Sequence, residues 1–124
     1  MAWYGTADML AATRHNFPHS LADVPLLLPT AHTAVRARLE HWFEQRSIRT
    51  RVVGEFEDSA LLKTFGASGM GVFPAAEWVH GDLLDHYALH RLGPCDGVTD
   101  HFFAIGTEKK VHHPLVLRLL QPAL

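Results

Sequence analysis

Cysteine is nearly missing from this sequence. Cys95 is the single one in 124 residues, so no disulfide can close within the chain, and a reducing compartment, the cytoplasm, is the expected setting. Long apolar runs are missing too. None approaches the ~20 residues that a membrane helix needs, so no membrane partner is expected. The opening Met1-Ala2-Trp3-Tyr4-Gly5 has neither a basic region nor a cleavable apolar stretch, so no signal peptide is expected. Charge of one sign is not in excess: 11 Lys and Arg face 13 Asp and Glu, for a net charge of -2. An autonomous nucleic-acid reader would carry a basic footprint, so direct DNA contact is not expected of this chain. There is no internal repeat, low-complexity tract or Gly/Ser linker.

What is present suits one compact domain. Hydrophobic residues make up 48% and charged residues 19%, enough apolar surface for a packed core. Short strand-like runs alternate with helical ones. Residues 2–5 form an aromatic strand-like run, and residues 7–14 a helix with Thr6 as its expected N-cap. Leu26-Leu27-Leu28 before Pro29 is a continuous apolar run, as in a buried strand. The next helix opens across residues 30–33 and runs to about Arg46, with Val35, Leu39, Trp42 and Phe43 along one face. Residues 51–56 read as a strand in which Gly54 admits a close neighbour. A helix follows to Ala67, with Leu61, Leu62 and Phe65 as its expected buried stripe. Residues 71–74 read as a strand, and residues 75–87 as a helix with Trp78, Val79 and Leu83 inward. Residues 90–92 and 99–105 are further strand candidates around the turn Gly93-Pro94-Cys95-Asp96-Gly97, and Pro114 opens a last helix to Leu120. This alternation predicts an α/β sheet with right-handed crossovers, whose ligand crevice lies at the carboxyl ends of the strands.

Known chemical motifs are not met. The run Gly66-Ala67-Ser68-Gly69-Met70-Gly71 lacks the Lys-Ser or Lys-Thr of a phosphate loop, and Met70 breaks the nucleophile-elbow pattern. It reads as a helix end and a tight turn. Ten histidines invite a metal test. Asp82, His86 and His90 are spaced four apart, but His90 falls in a strand, and no His-Glu-x-x-His or cysteine pair is present. Cys95 has no activating base beside it. No metal, no cofactor and no catalytic residue is therefore expected, and an enzyme is not. The acidic run Glu55-Phe56-Glu57-Asp58-Ser59 sits at a strand end and a helix start. It reads as a cap that complements the helix dipole, or as an oxygen-rich crevice suited to a small cation.

The segments LLLPTAHTAVRARLEHWF, VVGEFEDSALLKTFGASGMGVFPA and HFFAIGTEKKVHHPLV resemble the effector-binding domain of LysR-type transcriptional regulators, in the branch that activates sodium/proton antiporter genes. The specific phrases are Gly54-Glu55-Phe56, Asp58, Ala60-Leu61, Lys63 and Phe65-Gly66, then Ala104-Ile105, Glu108, His113-Pro114 and Val116. The resemblance implies a three-layer Rossmann-like lobe of the periplasmic-binding-protein type II fold, incomplete because the first lobe is absent. It implies residues 1-107 as the effector-binding second lobe and residues 108-124 as a closing helix that would pack on the absent lobe. It places the cleft wall at Thr30, His32, Thr33, Asp58, Ser59, Phe73 and Pro74. The implied partner is a small-molecule or ion effector, sodium or lithium in this branch, with DNA read by an absent N-terminal domain. The apolar last helix predicts a homodimer, formed by exchange of the C-terminal segment. Two other readings stay open: a stand-alone α/β interaction module that pairs with regulators, and a histidine-rich metal-dependent protein.

Overall fold

The computed structural model describes residues 1–98. The strand candidate at residues 99–105 and the closing helix lie outside the described residues, as does the side chain of Trp78. In chain order the elements are β1 (Ala2–Gly5), α1 (Ala7–Thr13), a 3₁₀ turn (His19–Asp23), β2 (Pro25–Pro29), α2 (Ala34–Gln45), β3 (Arg51–Phe56), α3 (Ser59–Ala67), β4 (Phe73–Ala75), a 3₁₀ turn (Glu77–Val79), α4 (His80–Tyr87) and β5 (His90–Pro94).

The strands form a three-stranded sheet ordered β4-β1-β5 and a two-stranded sheet ordered β2-β3. An isolated parallel bridge between Leu26 and Val72 joins them. There the Leu27 N–H donates to the Val72 carbonyl at 2.9 Å, and the Val72 N–H to the Pro25 carbonyl at 2.9 Å. The strands therefore run in the order β3-β2-β4-β1-β5. β2 and β3 are parallel, but β1 is antiparallel to both β4 and β5. The uniformly parallel sheet that right-handed crossovers imply is thus interrupted by the first strand. Being antiparallel to β1 on both sides, β4 and β5 share one direction, and the bridge gives β2 and β3 the same one. The carboxyl ends of β2, β3, β4 and β5 all lie at one edge.

Side chains alternate between the two faces of a strand, and this sorts the core into two layers. Trp3, Leu26, Leu28 and Val72 go to one face, where Leu21, Val24, Leu39, Trp42 and Phe43 cover them. Ala2, Tyr4, Leu27 and Phe73 go to the other, under Leu62 of α3, Leu83 of α4 and Leu89. Helices thus cover both faces of the sheet, giving three layers. Leu28 and Leu27 are each fully buried on opposite faces, which is why the Leu run is continuous rather than alternating.

Three local readings are corrected. Leu62 is buried, but Leu61 and Phe65 are 50% and 39% exposed. α3 meets the sheet through Gly66 instead: a Cβ there would stand 2.4 Å from the Phe73 ring, so the helix backbone lies directly on Phe73. Phe65 is left at the margin, stacked on Phe56 with centroids 5.3 Å apart. The helix expected over residues 75–87 is a 3₁₀ turn followed by the shorter α4. Thr6 occupies the N-cap position of α1 but makes no side-chain capping bond.

Candidate functional site

At the strand-end edge, β2 passes into α2 and β3 into α3. Thr33 caps α2: its hydroxyl accepts from the Arg36 N–H at 3.2 Å and donates to the Thr30 carbonyl at 2.8 Å. Asp58 caps α3, accepting from the Ala60 N–H at 2.7 Å. Each cap satisfies an amide that the first helical turn leaves open. The Thr30 N–H donates to the Phe56 carbonyl at 3.2 Å, tying the two junctions side by side.

Arg36, nearly buried, locks this edge. It donates from Nε to Glu40 Oε1 at 2.7 Å, and from Nη1 to the Pro29 carbonyl at 2.8 Å and to Glu55 Oε2 at 2.5 Å. Burial works against its charge, but the hydrogen bonds to Glu40 and Glu55 outweigh that and raise its pKa. The pair with Glu40 was readable as an i,i+4 spacing. The bond to Glu55, nineteen residues on, left no trace in the sequence, and Arg36 was missed for that reason.

Five of the seven residues singled out from sequence, Thr30, His32, Thr33, Asp58 and Ser59, gather at this edge. His32 stands 3.5 Å from Glu57, both side chains about three-quarters exposed, at 73% and 75%. The Thr30 hydroxyl oxygen is buried with no hydrogen-bond partner among the described residues. Phe73 and Pro74 do not join the edge. Both are buried inside β4, where Phe73 packs against Tyr4 with centroids 6.3 Å apart and Pro74 pairs in register with Trp3.

The acidic run does not converge as a cation crevice would require. Glu55 is held by Arg36, Glu57 faces His32 and Asp58 caps α3. Among the described residues no three His, Cys, Asp or Glu side chains group to hold a metal. Asp82 and His86 do meet, at 2.8 Å, while His90 opens β5. Burial pushes the Cys95 thiol up to about 12, the opposite of what a reactive cysteine needs.

The chain matches the LysR substrate binding domain family over residues 1–123. It is 30% identical to the transcriptional activator protein NhaR of Escherichia coli over 83% of this chain and 34% of that protein. It is 39% identical to the nitrogen assimilation regulatory protein Nac of E. coli over 44% of this chain and 18% of that protein. The crystal structure of the cofactor-binding domain of the Cbl transcriptional regulator superposes with a TM-score of 0.60 at 25% identity, covering 73% of this chain and 40% of that one. The chain spans about a third of the length of NhaR. Among the described residues no helix is long and apolar enough to cross a membrane. A sheet sandwiched between helices, with its strand ends gathered at one edge, and a match running through nearly every residue agree: the chain belongs to the LysR substrate-binding domain family, the effector-binding domain of LysR-type transcriptional regulators, with its type II periplasmic-binding-protein-like fold.

Proposed function

We propose that the chain is the effector-sensing second lobe of a regulator that controls transcription, and that the strand-end edge around Thr30 is its ligand wall. The observation that carries this reading is the Thr30 hydroxyl, buried where β2 gives way to α2 and without a partner among the described residues. An unmet hydroxyl can both donate and accept, and Arg36 fixes the backbone that carries it. His32, Thr33, Asp58 and Ser59 supply the rest of the wall. The described residues, 1–98, fall within that lobe. The chain works in the cytoplasm as a homodimer, and DNA is contacted by a separate domain.

Likeness to NhaR supports sodium or lithium as the effector. The wall contributes to such an ion through hydroxyl and carbonyl oxygens rather than paired carboxylates, since those carboxylates already have partners. Amide shifts at residues 30–33 and 56–59 should respond to sodium chloride and not to potassium chloride at equal ionic strength. Thr30→Val should abolish the response. Identical responses to the two salts would exclude sodium. A response at neither junction to any effector of the full regulator would overturn the wall. Light scattering that stays monomeric at high concentration would overturn the homodimer.

A further inference from the structure

A second group of polar residues lies on the face packed by α3 and α4. Tyr4, Glu77, His80 and Arg91 line an open cleft of ≈ 490 Å³. Tyr4 of β1 and Arg91 of β5 are register partners, so backbone pairing sets the floor. Arg91 is the second residue of β5, and β5 runs in the direction of β2. None of the four lining residues belongs to the group around Thr30 and Asp58, and β4 stands between the cleft floor and β2, so its reading does not depend on the effector wall.

Tyr4 is fully buried, yet its hydroxyl has no hydrogen-bond partner among the described residues, and neither has the buried Nδ1 of His80. The two rings sit 5.8 Å apart at 42°. Arg91 donates from both Nε and Nη2 to one carboxylate oxygen of Glu77, Oε1. Their charges cancel, so the described lining offers no excess charge to a free anion or cation. Burial raises the Tyr4 pKa, with Arg91 opposing and Glu77 adding, which keeps the phenol protonated and a donor. An imidazole Nδ1 without a proton is an acceptor. Buried polar groups are ordinarily paired, and here a phenol O–H and an imidazole nitrogen are both left open on rings 5.8 Å apart.

We propose that this cleft is a second ligand site, for a small uncharged molecule bearing a primary carboxamide on a flat apolar body. Its carbonyl oxygen accepts from the Tyr4 O–H, its amide N–H₂ donates to an unprotonated His80 Nδ1 and to Glu77, and its body lies over the half-buried His80.

Benzamide is the probe, with benzoate as the charged control, titrated into the ¹⁵N-labelled chain. Benzamide should give saturable amide shifts at Tyr4, Glu77, His80 and Arg91, with none at residues 30–33. Benzoate should bind about tenfold more weakly, and Tyr4→Phe and His80→Phe should each weaken benzamide by about fivefold to tenfold, the loss of one hydrogen bond. Tyr4→Phe removes a hydroxyl that no described residue engages, so its melting temperature should equal or exceed that of the parent. Shifts that do not saturate, equal binding of benzoate, an unchanged Kd in Tyr4→Phe, or a lowered melting temperature in that variant would each overturn the proposal. So would a crystal structure in which a water bonded to Tyr4 and His80 persists in excess benzamide.

Discussion

On one face of the sheet aromatic rings close against one another; on the other a bare stretch of helix backbone does the same work. Trp3 lies 5.8 Å from Trp42 and 5.5 Å from Phe43, and Trp42 meets Phe43 edge-on at 5.4 Å. Arg46 lies 4.3 Å over the Trp42 ring, adding a cation–π contact at the rim. The opposite face has Phe73 under Gly66, with Leu61 and Leu84 left 50% and 41% exposed. The first face is held by side-chain bulk, the second by the absence of it. The two should therefore fail in opposite ways: one to truncation, the other to enlargement.

The largest effect is expected from Trp3→Ala. Emptying the centre of the aromatic layer should destabilise the domain by about 3–5 kcal/mol in denaturant melts. It should also open Cys95, which packs in the same layer, to iodoacetamide, to which the buried thiol of the folded parent should be inert. A loss under ~1 kcal/mol would show that the layer can collapse over the gap. Next comes Gly66→Ala. Overpacking against the fully buried Phe73 should cost about 1–3 kcal/mol, offset by up to ~1 kcal/mol of helix propensity. The double variant with Phe73→Leu should recover most of the loss. Stabilisation in the single variant would mean that α3 stands off the sheet.

Thr33→Ala and Asp58→Ala compare the helices of the two faces at their starts. Each removes a cap and should cost ~1 kcal/mol. Thr33 should cost more, because its hydroxyl also donates to the Thr30 carbonyl. Leu61→Ser should change stability least, within ~0.5 kcal/mol. A larger loss would place Leu61 in an interface within the assembled protein. The smaller three changes are best read by urea melts against a common baseline.

Much of this architecture is legible in the sequence. Ala2–Gly5, the Leu run and Arg51–Phe56 announced strands by composition, and the stripe Leu39, Trp42 and Phe43 is buried as its spacing requires. Gly54 does admit a close neighbour: a Cβ there would stand 3.0 Å from Leu27. The α3 stripe misled because three apolar residues at helical spacing describe an arc, whereas the contact with the sheet falls on Gly66, which has no hydropathy signal. Phe73 and Pro74 were placed on the wall by the family resemblance, but both are buried within β4. Arg36 and Glu55, and likewise Glu77 and Arg91, meet across 19 and 14 residues, a separation that local patterning cannot bridge.

By itself the sequence determined where most strands and helices would fall, where α2 and α3 would begin, and the family through its long middle phrase. These depend on neighbours within a turn or two, where propensity, periodicity and side-chain-to-backbone bonds act. Tertiary structure alone decided that β1 runs against its neighbours, that Phe73 belongs to the core, that the acidic run is consumed by Arg36, His32 and a helix cap, and that Tyr4 and His80 share a cleft. Each of those outcomes is set by which strand pairs with which. Strand pairing is won by the total burial of both faces, not by any residue's local preference.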